Sequence, residues 1–148
     1  MMDVIDEGPW TRPVLNPGAL DREYFAAAAE GRLCIQRCPA CDHRQFPPRL
    51  LCTVCGAEAE WMEAGGTGRI HTFTVLRRHG VEPFASMVPF VLAMVELPEG
   101  VRLMGNVTGF GPDELEGPMT QIVGAAVEAY AIRVDDQLAL PLWRKVER

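Results

Sequence analysis

Four cysteines fall in two pairs that have the spacing of metal-binding knuckles. Cys38 and Cys41 form C-P-A-C, and after ten intervening residues Cys52 and Cys55 form C-T-V-C. Each C-x-x-C pair can fold into a tight turn that directs two thiolates at one centre, and four thiolates are a ligand set that zinc favours. Unpaired core cysteines, or two disulfides in a secreted domain, are the alternatives. The paired spacing favours zinc or a similar metal.

The predicted metal site has no free coordination position. A catalytic zinc ion keeps one position open for water or substrate, whereas four thiolates complete a tetrahedral shell. The sequence also lacks a G-x-S-x-G elbow, an H-E-x-x-H pair and a G-x-G-x-x-G loop after a strand. We therefore predict that the ion holds structure and that the chain is not catalytic alone. Iron also accepts four thiolates, which leaves rubredoxin-type electron transfer as an alternative.

Two further residues lie near this site in the sequence. Cys34 stands between Leu33 and Ile35, where a free cysteine is most often a small buried hydrophobe. Its alternative roles are a spare ligand and a nucleophile. His43 follows Cys41 by two residues, and because four cysteines are already available, we interpret it as a surface residue of the knuckle.

Length and charge restrict the class of protein. A chain of 148 residues fits a small metal-stapled unit joined to a compact domain. The first seven residues are acidic and lack the apolar core of a secretory signal, and no run of eighteen apolar residues occurs. We therefore expect a cytoplasmic protein without a membrane span, in which thiols stay reduced. The net charge of −6 disfavours a nucleic-acid partner, although residues 31–60 carry four arginines against three acids.

The first third of the chain predicts an extended arm, a helix and a strand. Pro9 and Pro13 interrupt the first fifteen residues. Asn16 is a good N-cap, Pro17 suits the first helical position, and Gly31 ends the helix. Residues 32–37 then alternate like a short strand that leads into the first knuckle. The apolar positions at helical spacing are Leu20, Tyr24, Phe25 and Ala28.

The sequence after the second knuckle predicts β structure. Gly65-Gly66-Thr67-Gly68 lacks the lysine and hydroxyl residue of a phosphate loop and precedes a strand, so we interpret it as a turn or bulge. A short helix is expected at Pro112, between the third and fourth strands. Five strands with this helix are the plan of a Greek-key barrel of the oligonucleotide and oligosaccharide binding (OB) type. The candidate strands are 69–76, 90–97, 101–107, 122–134 and 137–143.

A succession of ordered motifs across residues 20–146 resembles one known family, the acyl-CoA-associated zinc-ribbon and OB-fold proteins, long catalogued as of unknown function. The motifs are F-A-A-A-A-E-G-R-L, C-P-A-C-D-H-R-Q-F-P-P-R, C-T-V-C-G, W-M-E-A-G-G-T-G-R-I-H-T-F-T-V, V-P-F-V-L-A-M-V-E-L-P-E-G-V-R-L-M-G-N-V and L-P-L-W-R.

The resemblance implies a mainly β protein with an N-terminal helical segment, a rubredoxin-like zinc ribbon and a five-stranded OB-fold barrel. We place the arm and helix at 1–31, the ribbon at 32–62 and the barrel at 63–148. The resemblance further implies that the chain is a non-catalytic accessory subunit of a thiolase-like enzyme, in a heterotetramer or similar complex. Such complexes make or break carbon–carbon bonds on acyl-CoA thioesters, so coenzyme A would be a ligand of the complex.

One long strand connection is the candidate contact segment for coenzyme A or the partner. Residues 77–89 combine Arg77 and Arg78, suited to phosphates, with Phe84 and Met87, suited to an apolar chain. A solvated loop with a small hydrophobic anchor is the simpler interpretation.

The alternative function is binding of single-stranded nucleic acid, because zinc ribbons and OB-folds both occur in that class. Strand aromatics such as Phe73 would then stack on bases. The acid excess and the lack of a basic stripe oppose this hypothesis.

Overall fold

Strand pairing among the described residues gives a three-stranded sheet in the cysteine-rich segment and a six-stranded sheet formed mostly by the segment after it. The computed structural model describes residues 1–118 and 121–147. Met119, Thr120 and Arg148, which fall within the predicted barrel segment 63–148, lie outside the described residues.

The cysteine-rich segment forms a small antiparallel sheet in the order β3-β2-β4. Its strands are β2 (Cys34–Arg37), β3 (Arg44–Gln45) and β4 (Glu60–Glu63). β2 is buried along most of its length, although alternation in the sequence predicts only one covered face. Both faces are covered because Leu33 and Ile35 belong to the main core, while Gln36 contacts the loop between the knuckles.

The second segment closes into a barrel of five strands. β5 pairs with β6, β6 with β7, β7 with β9, β9 with β8, and β8 with β5. Of these five pairings, the one between β7 and β9 is parallel and the others are antiparallel. This closure and a short helix between β7 and β8 confirm the predicted OB-type barrel. The elements are β5 (Thr67–Leu76), α2 (Phe84–Met87), β6 (Phe90–Glu96), β7 (Arg102–Thr108), α3 (Pro112–Glu116), β8 (Ala126–Arg133) and β9 (Ala139–Lys145).

The N-terminal helix, α1 (Ala19–Ala29), begins later than predicted. Gly18, not Asn16, is the N-cap: its ψ of 171° is extended, and its carbonyl accepts the N–H of Arg22 as the first helical bond. The predicted end of the helix at Gly31 is correct, since Gly31 adopts the left-handed φ of +81° that is typical of the residue after a helix. Among the described residues, no helix is long and apolar enough to cross a membrane.

The extended arm predicted for the first fifteen residues includes one short strand. Residues Asp3–Ile5 form β1, which pairs in parallel with Tyr130, Ala131 and Ile132 of β8. β5 pairs with β8 from Ala126 to Glu128, and the Ala129 N–H donates to the Gly66 carbonyl. The main-chain groups farther along that edge of β8 need other partners. The arm supplies them, and Trp10 packs beside Tyr130 and Ile132.

The fourth barrel strand is also shorter than predicted. β8 begins at Ala126, because residues 122–125 form a turn in which Gly124 has φ of +82°. The Gly124 N–H donates to the carbonyl of Ile70, and Ile122 is fully buried. The turn therefore places an apolar side chain in the core instead of extending the sheet.

The ribbon and the barrel share one hydrophobic core. Leu33 and Ile35 of the ribbon segment belong to the same buried cluster as Val95, Val127 and Trp143 of the barrel. Burying these side chains together stabilises both sheets at once. The metal site is therefore attached to the barrel through packing and not only through the chain.

Candidate metal centre and surrounding surfaces

The two cysteine knuckles have the same main-chain hydrogen bonds. In the first, Cys38 N–H donates to the His43 carbonyl at 2.8 Å, and Asp42 N–H donates to the Cys38 carbonyl at 2.8 Å. In the second, Cys52 N–H donates to the Ala57 carbonyl at 2.7 Å, and Gly56 N–H donates to the Cys52 carbonyl at 3.0 Å. Each C-x-x-C turn is thus fixed by two bonds that leave its sulfurs free to point at a shared centre.

A left-handed residue closes each knuckle at the equivalent position. Gly56 has φ of +78°, and Asp42 has φ of +63°. Glycine adopts this region without steric cost, and aspartate is one of the few other residues that tolerate it. An ion pair with Arg37 holds the Asp42 side chain.

The four sulfur atoms fit a tetrahedral metal site. All four Sγ atoms lie within 4.8 Å of one another. Cys38 Sγ is 3.4 Å from Cys55 Sγ, and Cys41 Sγ is 3.7 Å from Cys52 Sγ. Zinc–sulfur bonds of about 2.3 Å place tetrahedral sulfurs about 3.8 Å apart, whereas a disulfide bond is about 2.05 Å long. The soft donor set and the distances therefore fit structural zinc.

Each knuckle contributes one buried and one exposed cysteine to the cluster. Cys38 and Cys52 are buried, while Cys41 and Cys55 face solvent. The main-chain N–H groups of Cys55 and Val54 are directed at the Cys52 thiol and lower its pKa to about 6, although burial opposes this effect. Hydrogen bonds that favour the thiolate also favour metal binding, because a metal ligand must be deprotonated.

Cys34 and His43 lie where the sequence predicts. Cys34 is 3% exposed and outside the sulfur cluster, and burial raises the pKa of its thiol. This environment confirms a buried hydrophobe and disfavours a nucleophile. His43 is half-buried, and its Nε2 atom is 3.3 Å from Thr53 Oγ1 of the second knuckle.

A pair of buried glutamines fixes the loop between the knuckles, a feature that sequence reasoning missed. Gln36 donates to the Arg49 carbonyl and accepts the Arg49 N–H, each at 2.7 Å. Gln45, its cross-strand neighbour, donates to Gln36 Oε1 and to the Leu51 carbonyl and accepts the Thr53 N–H. Buried amides with their hydrogen-bonding groups satisfied fix one loop geometry. The only signal in the sequence was a polar residue within a short strand.

Replacing Gln36 by leucine is expected to lower the free energy of unfolding by about 2–4 kcal/mol. The change leaves the Arg49 main-chain groups and one Gln45 donor without their partner. Each fully buried orphan costs about 1–3 kcal/mol, and the total stays near the low end because Arg49 is exposed and water can solvate its main chain. Urea denaturation measures the loss. Gln137→Leu, at an exposed glutamine, is the matched control and should stay within about 0.5 kcal/mol of wild type. Equal stability of both variants would contradict a structural role for the glutamine pair.

The segment 77–89 brings the two predicted arginines to one cavity. A cavity of about 610 Å³ is lined by both of them together with His79, Gly80, Ala85 and Val88. Arg77 is also held by its neighbours, since its Nη2 donates to the Leu115 carbonyl of α3 at 2.9 Å. Phe84 and Met87 are not in this lining. Phe84 packs between His79 and Phe90, and Met87 is 37% exposed.

A second cleft separates the ribbon from the barrel. It has a volume of about 480 Å³. Arg44 and Arg49 line it from the ribbon, opposite Met94 and Arg102 of the barrel. Arg44 Nε is buried and has no hydrogen-bond partner. This cleft lies at the end of the barrel next to the ribbon, whereas the cavity of Arg77 and Arg78 follows the far end of β5.

Phe73, the aromatic residue suggested for base stacking, is only partly exposed to solvent. Phe73 is half-buried and packs against the barrel core. Base stacking needs an aromatic ring presented on the outer face of the sheet. The position of Phe73 therefore disfavours the nucleic-acid alternative.

A four-cysteine ribbon packed on a five-stranded barrel defines a zinc-ribbon and OB-fold protein. Residues 25–60 match the family model described as the ChsH2 rubredoxin-like zinc ribbon domain, and residues 61–136 match the ChsH2 C-terminal OB-fold domain. The chain belongs to the ChsH2 family of zinc-ribbon and OB-fold proteins, which confirms the resemblance seen in its motifs.

Relatives of this chain carry names that concern acyl-CoA metabolism and scaffolding. A probable enoyl-CoA hydratase alpha subunit from Thermomonospora curvata is 37% identical over 134 residues, which cover 90% of this chain and 39% of that protein. A DUF35 domain-containing scaffold protein from Methanothermobacter thermautotrophicus is 33% identical over 82 residues, which cover 54% of this chain and 61% of that protein. The chain therefore spans less than two thirds of the length of these relatives.

A solved structure resembles nearly the whole chain. The structure titled "Ltp2-ChsH2(DUF35) aldolase" aligns with a TM-score of 0.71 and 37% identity, covering 90% of this chain and 98% of the matched chain. The two-domain arrangement is thus shared with a chain of similar extent.

Proposed function

We propose that this chain is a non-catalytic accessory subunit of a thiolase-like enzyme that acts on acyl-CoA thioesters. In this role it binds and stabilises the enzyme and forms part of the entrance for coenzyme A or its acyl chain. The observation that carries the proposal is the similarity to the structure titled "Ltp2-ChsH2(DUF35) aldolase", which covers 98% of the matched chain. That title joins two protein names in one aldolase. A relative named as a scaffold protein supports the same role.

The metal site supports a structural contribution. Four thiolates would complete the shell of the ion and leave no position for substrate. We propose Cys38, Cys41, Cys52 and Cys55 as the zinc ligands, within a ribbon that extends over residues 32–62 between the helical segment and the barrel. When bound, zinc would supply a rigid cross-link between the knuckles and no chemistry of its own.

The cavity beside α3 supports a contact with coenzyme A. Its two arginines have different tasks in our proposal. Arg77 holds the segment 77–89 against α3 through the Leu115 carbonyl, so it positions the loop. Arg78 is exposed and lines the same cavity, so its guanidinium is available for a phosphate. Ala85 and Val88 add apolar wall.

Co-expression tests the accessory role. The chain is produced with and without a candidate thiolase-like protein, and the purified products are compared for subunit stoichiometry, solubility and acyl-CoA turnover. We expect a heterotetramer or similar complex whose activity depends on this chain. A partner that is soluble and fully active without the chain would overturn the proposal.

Arg78→Ala is expected to raise the KM of that complex for its acyl-CoA substrate about tenfold. A charge-assisted hydrogen bond to phosphate contributes about 1.5–3 kcal/mol. The same variant should leave the KM for the corresponding acyl-pantetheine thioester unchanged, because that substrate lacks the nucleotide phosphates. Steady-state kinetics with both substrates measures the difference.

Two matched variants complete this experiment. Arg69→Ala removes an exposed arginine at the other end of β5 and should leave both KM values unchanged. Arg77→Ala should lower thermal stability by freeing the loop from α3. Equal losses with both thioesters for Arg78→Ala would mean that this residue does not contact a phosphate.

A further inference from the structure

Three large apolar side chains are exposed at the tip of the zinc ribbon. Leu50 is 76% exposed, Leu51 is 52% exposed and Val54 is 67% exposed. We call these three residues the ribbon-tip patch. Single exposed apolar residues are common on protein surfaces, but neighbouring ones on a rigid loop mark an interaction site more often.

The loop that carries the patch is fixed in place. Gln36 and Gln45 bond to the main chain at Arg49, Leu51 and Thr53, on both sides of the two leucines. The Leu50 carbonyl also accepts the Ala59 N–H at 3.3 Å. The fold therefore holds the leucines outward in one geometry. A surface that is already ordered loses less conformational entropy when it binds.

Two cations beside the patch lack partners of their own. Among the residues that the structure describes, neither Arg44 nor Arg49 lies within ion-pair distance of a carboxylate. The two arginines line one cleft together with Thr53 and Glu96, and Arg49, which precedes Leu50 in the chain, is exposed. An unpaired guanidinium next to apolar surface is complementary to a carboxylate on the opposing surface.

We propose that the ribbon-tip patch docks into an apolar socket, bordered by carboxylates, on the thiolase-like partner. This assignment rests on the proposed function and names the surface through which it operates. A second copy of this chain is a poorer occupant. A two-fold symmetric contact would bring each patch onto its own equivalent, so the arginines of one copy would face those of the other.

Leu50→Ser combined with Leu51→Ser tests the assignment. The double variant and the wild-type chain are each co-expressed with the thiolase-like protein, and the dissociation constant of the purified pair is measured by biolayer interferometry. We expect the double variant to bind at least tenfold more weakly while it retains one zinc ion and the wild-type melting temperature. Met104→Ser, at a methionine 67% exposed on β7, is the matched control and should bind like wild type.

A charge-reversal variant of Arg49 tests whether carboxylates of the partner surround the ribbon-tip patch. Arg49→Glu keeps the main-chain groups that bond to Gln36 but reverses the side-chain charge. We expect association several-fold slower than wild type at low salt, with the difference shrinking as salt screens the rim charges. An association rate equal to that of wild type at low salt would contradict the carboxylate border.

The outcomes separate this assignment from the function on which it rests. If the wild-type chain forms no complex with the thiolase-like protein, the proposed function is overturned and the assignment with it. A complex that forms equally well with the double variant would overturn the assignment alone. A dimer of the wild-type chain that the double variant abolishes, measured by light scattering without the partner, would assign the patch to self-association and overturn the proposed docking.

Discussion

Replacing Cys52 by serine is expected to deprive the chain of its metal and to unfold it. The variant keeps three of the four clustered thiolates. Structural zinc contributes about 10–16 kcal/mol of apparent binding free energy in small zinc domains, which matches or exceeds the whole stability of an ordinary domain, about 5–15 kcal/mol. Metal content by plasma mass spectrometry and far-UV circular dichroism should therefore both fall, and assembly with the proposed partner should be lost with them.

Cys34→Ala is the matched control for this experiment. Cys34 is as buried as Cys52 but lies outside the sulfur cluster. The control should bind one equivalent of metal and lose only about 1 kcal/mol of stability. A folded, metal-free Cys52→Ser protein that still assembled would contradict the structural role of the site. A red, iron-containing wild-type protein would instead favour the rubredoxin-type alternative.

Replacing Trp143 by alanine is expected to lower the free energy of unfolding by about 3–5 kcal/mol. Trp143 lies on β9 and is 2% exposed within the main core. Its ring fills the space above Gly105, where an added Cβ atom would lie 3.1 Å from Trp143 Cδ1. Removing the ring leaves a cavity that packed neighbours refill only in part. Guanidinium denaturation followed by far-UV circular dichroism measures the change.

Trp61→Ala provides the comparison for this loss. Trp61 is half-buried on β4, and its indole N–H donates to Glu23 of α1. We expect a smaller cost of about 1–2 kcal/mol, because less apolar area is uncovered and water can solvate the freed carboxylate. If Trp143→Ala cost no more than Trp61→Ala, the ring of Trp143 would not be a main element of the core.

Short-range patterns made the knuckles and the barrel strands predictable. Each C-x-x-C pair forms its turn from neighbouring residues alone, so the spacing of Cys38, Cys41, Cys52 and Cys55 was enough to predict that their sulfurs cluster. Strand positions were also correct to within a few residues, since turns and apolar runs alternate clearly along the barrel. The fourth strand was predicted to start too early because Ile122 and Val123 are apolar, as strand residues often are. The left-handed Gly124 that follows them forces a turn instead.

Features that depend on contacts between distant segments were not predictable. β1 pairs with the part of the β8 edge, Tyr130 to Ile132, that β5 does not cover, and no local pattern near Asp3 contains this information. The same holds for Gln36 and Gln45, whose amides meet across a strand pair and bond to a third segment. The inward packing of Phe84 depends likewise on Phe90 and His79.

The core shared by the ribbon and the barrel links the amount of folded protein to metal supply. If both sheets unfold as one unit, zinc bound at the knuckles stabilises the barrel that carries Arg78 as much as the ribbon itself. By mass action, each tenfold fall in free zinc would then remove about 1.4 kcal/mol from the stability of the whole chain. A cell short of zinc would accordingly hold less of this protein in its folded form, with no change in its synthesis.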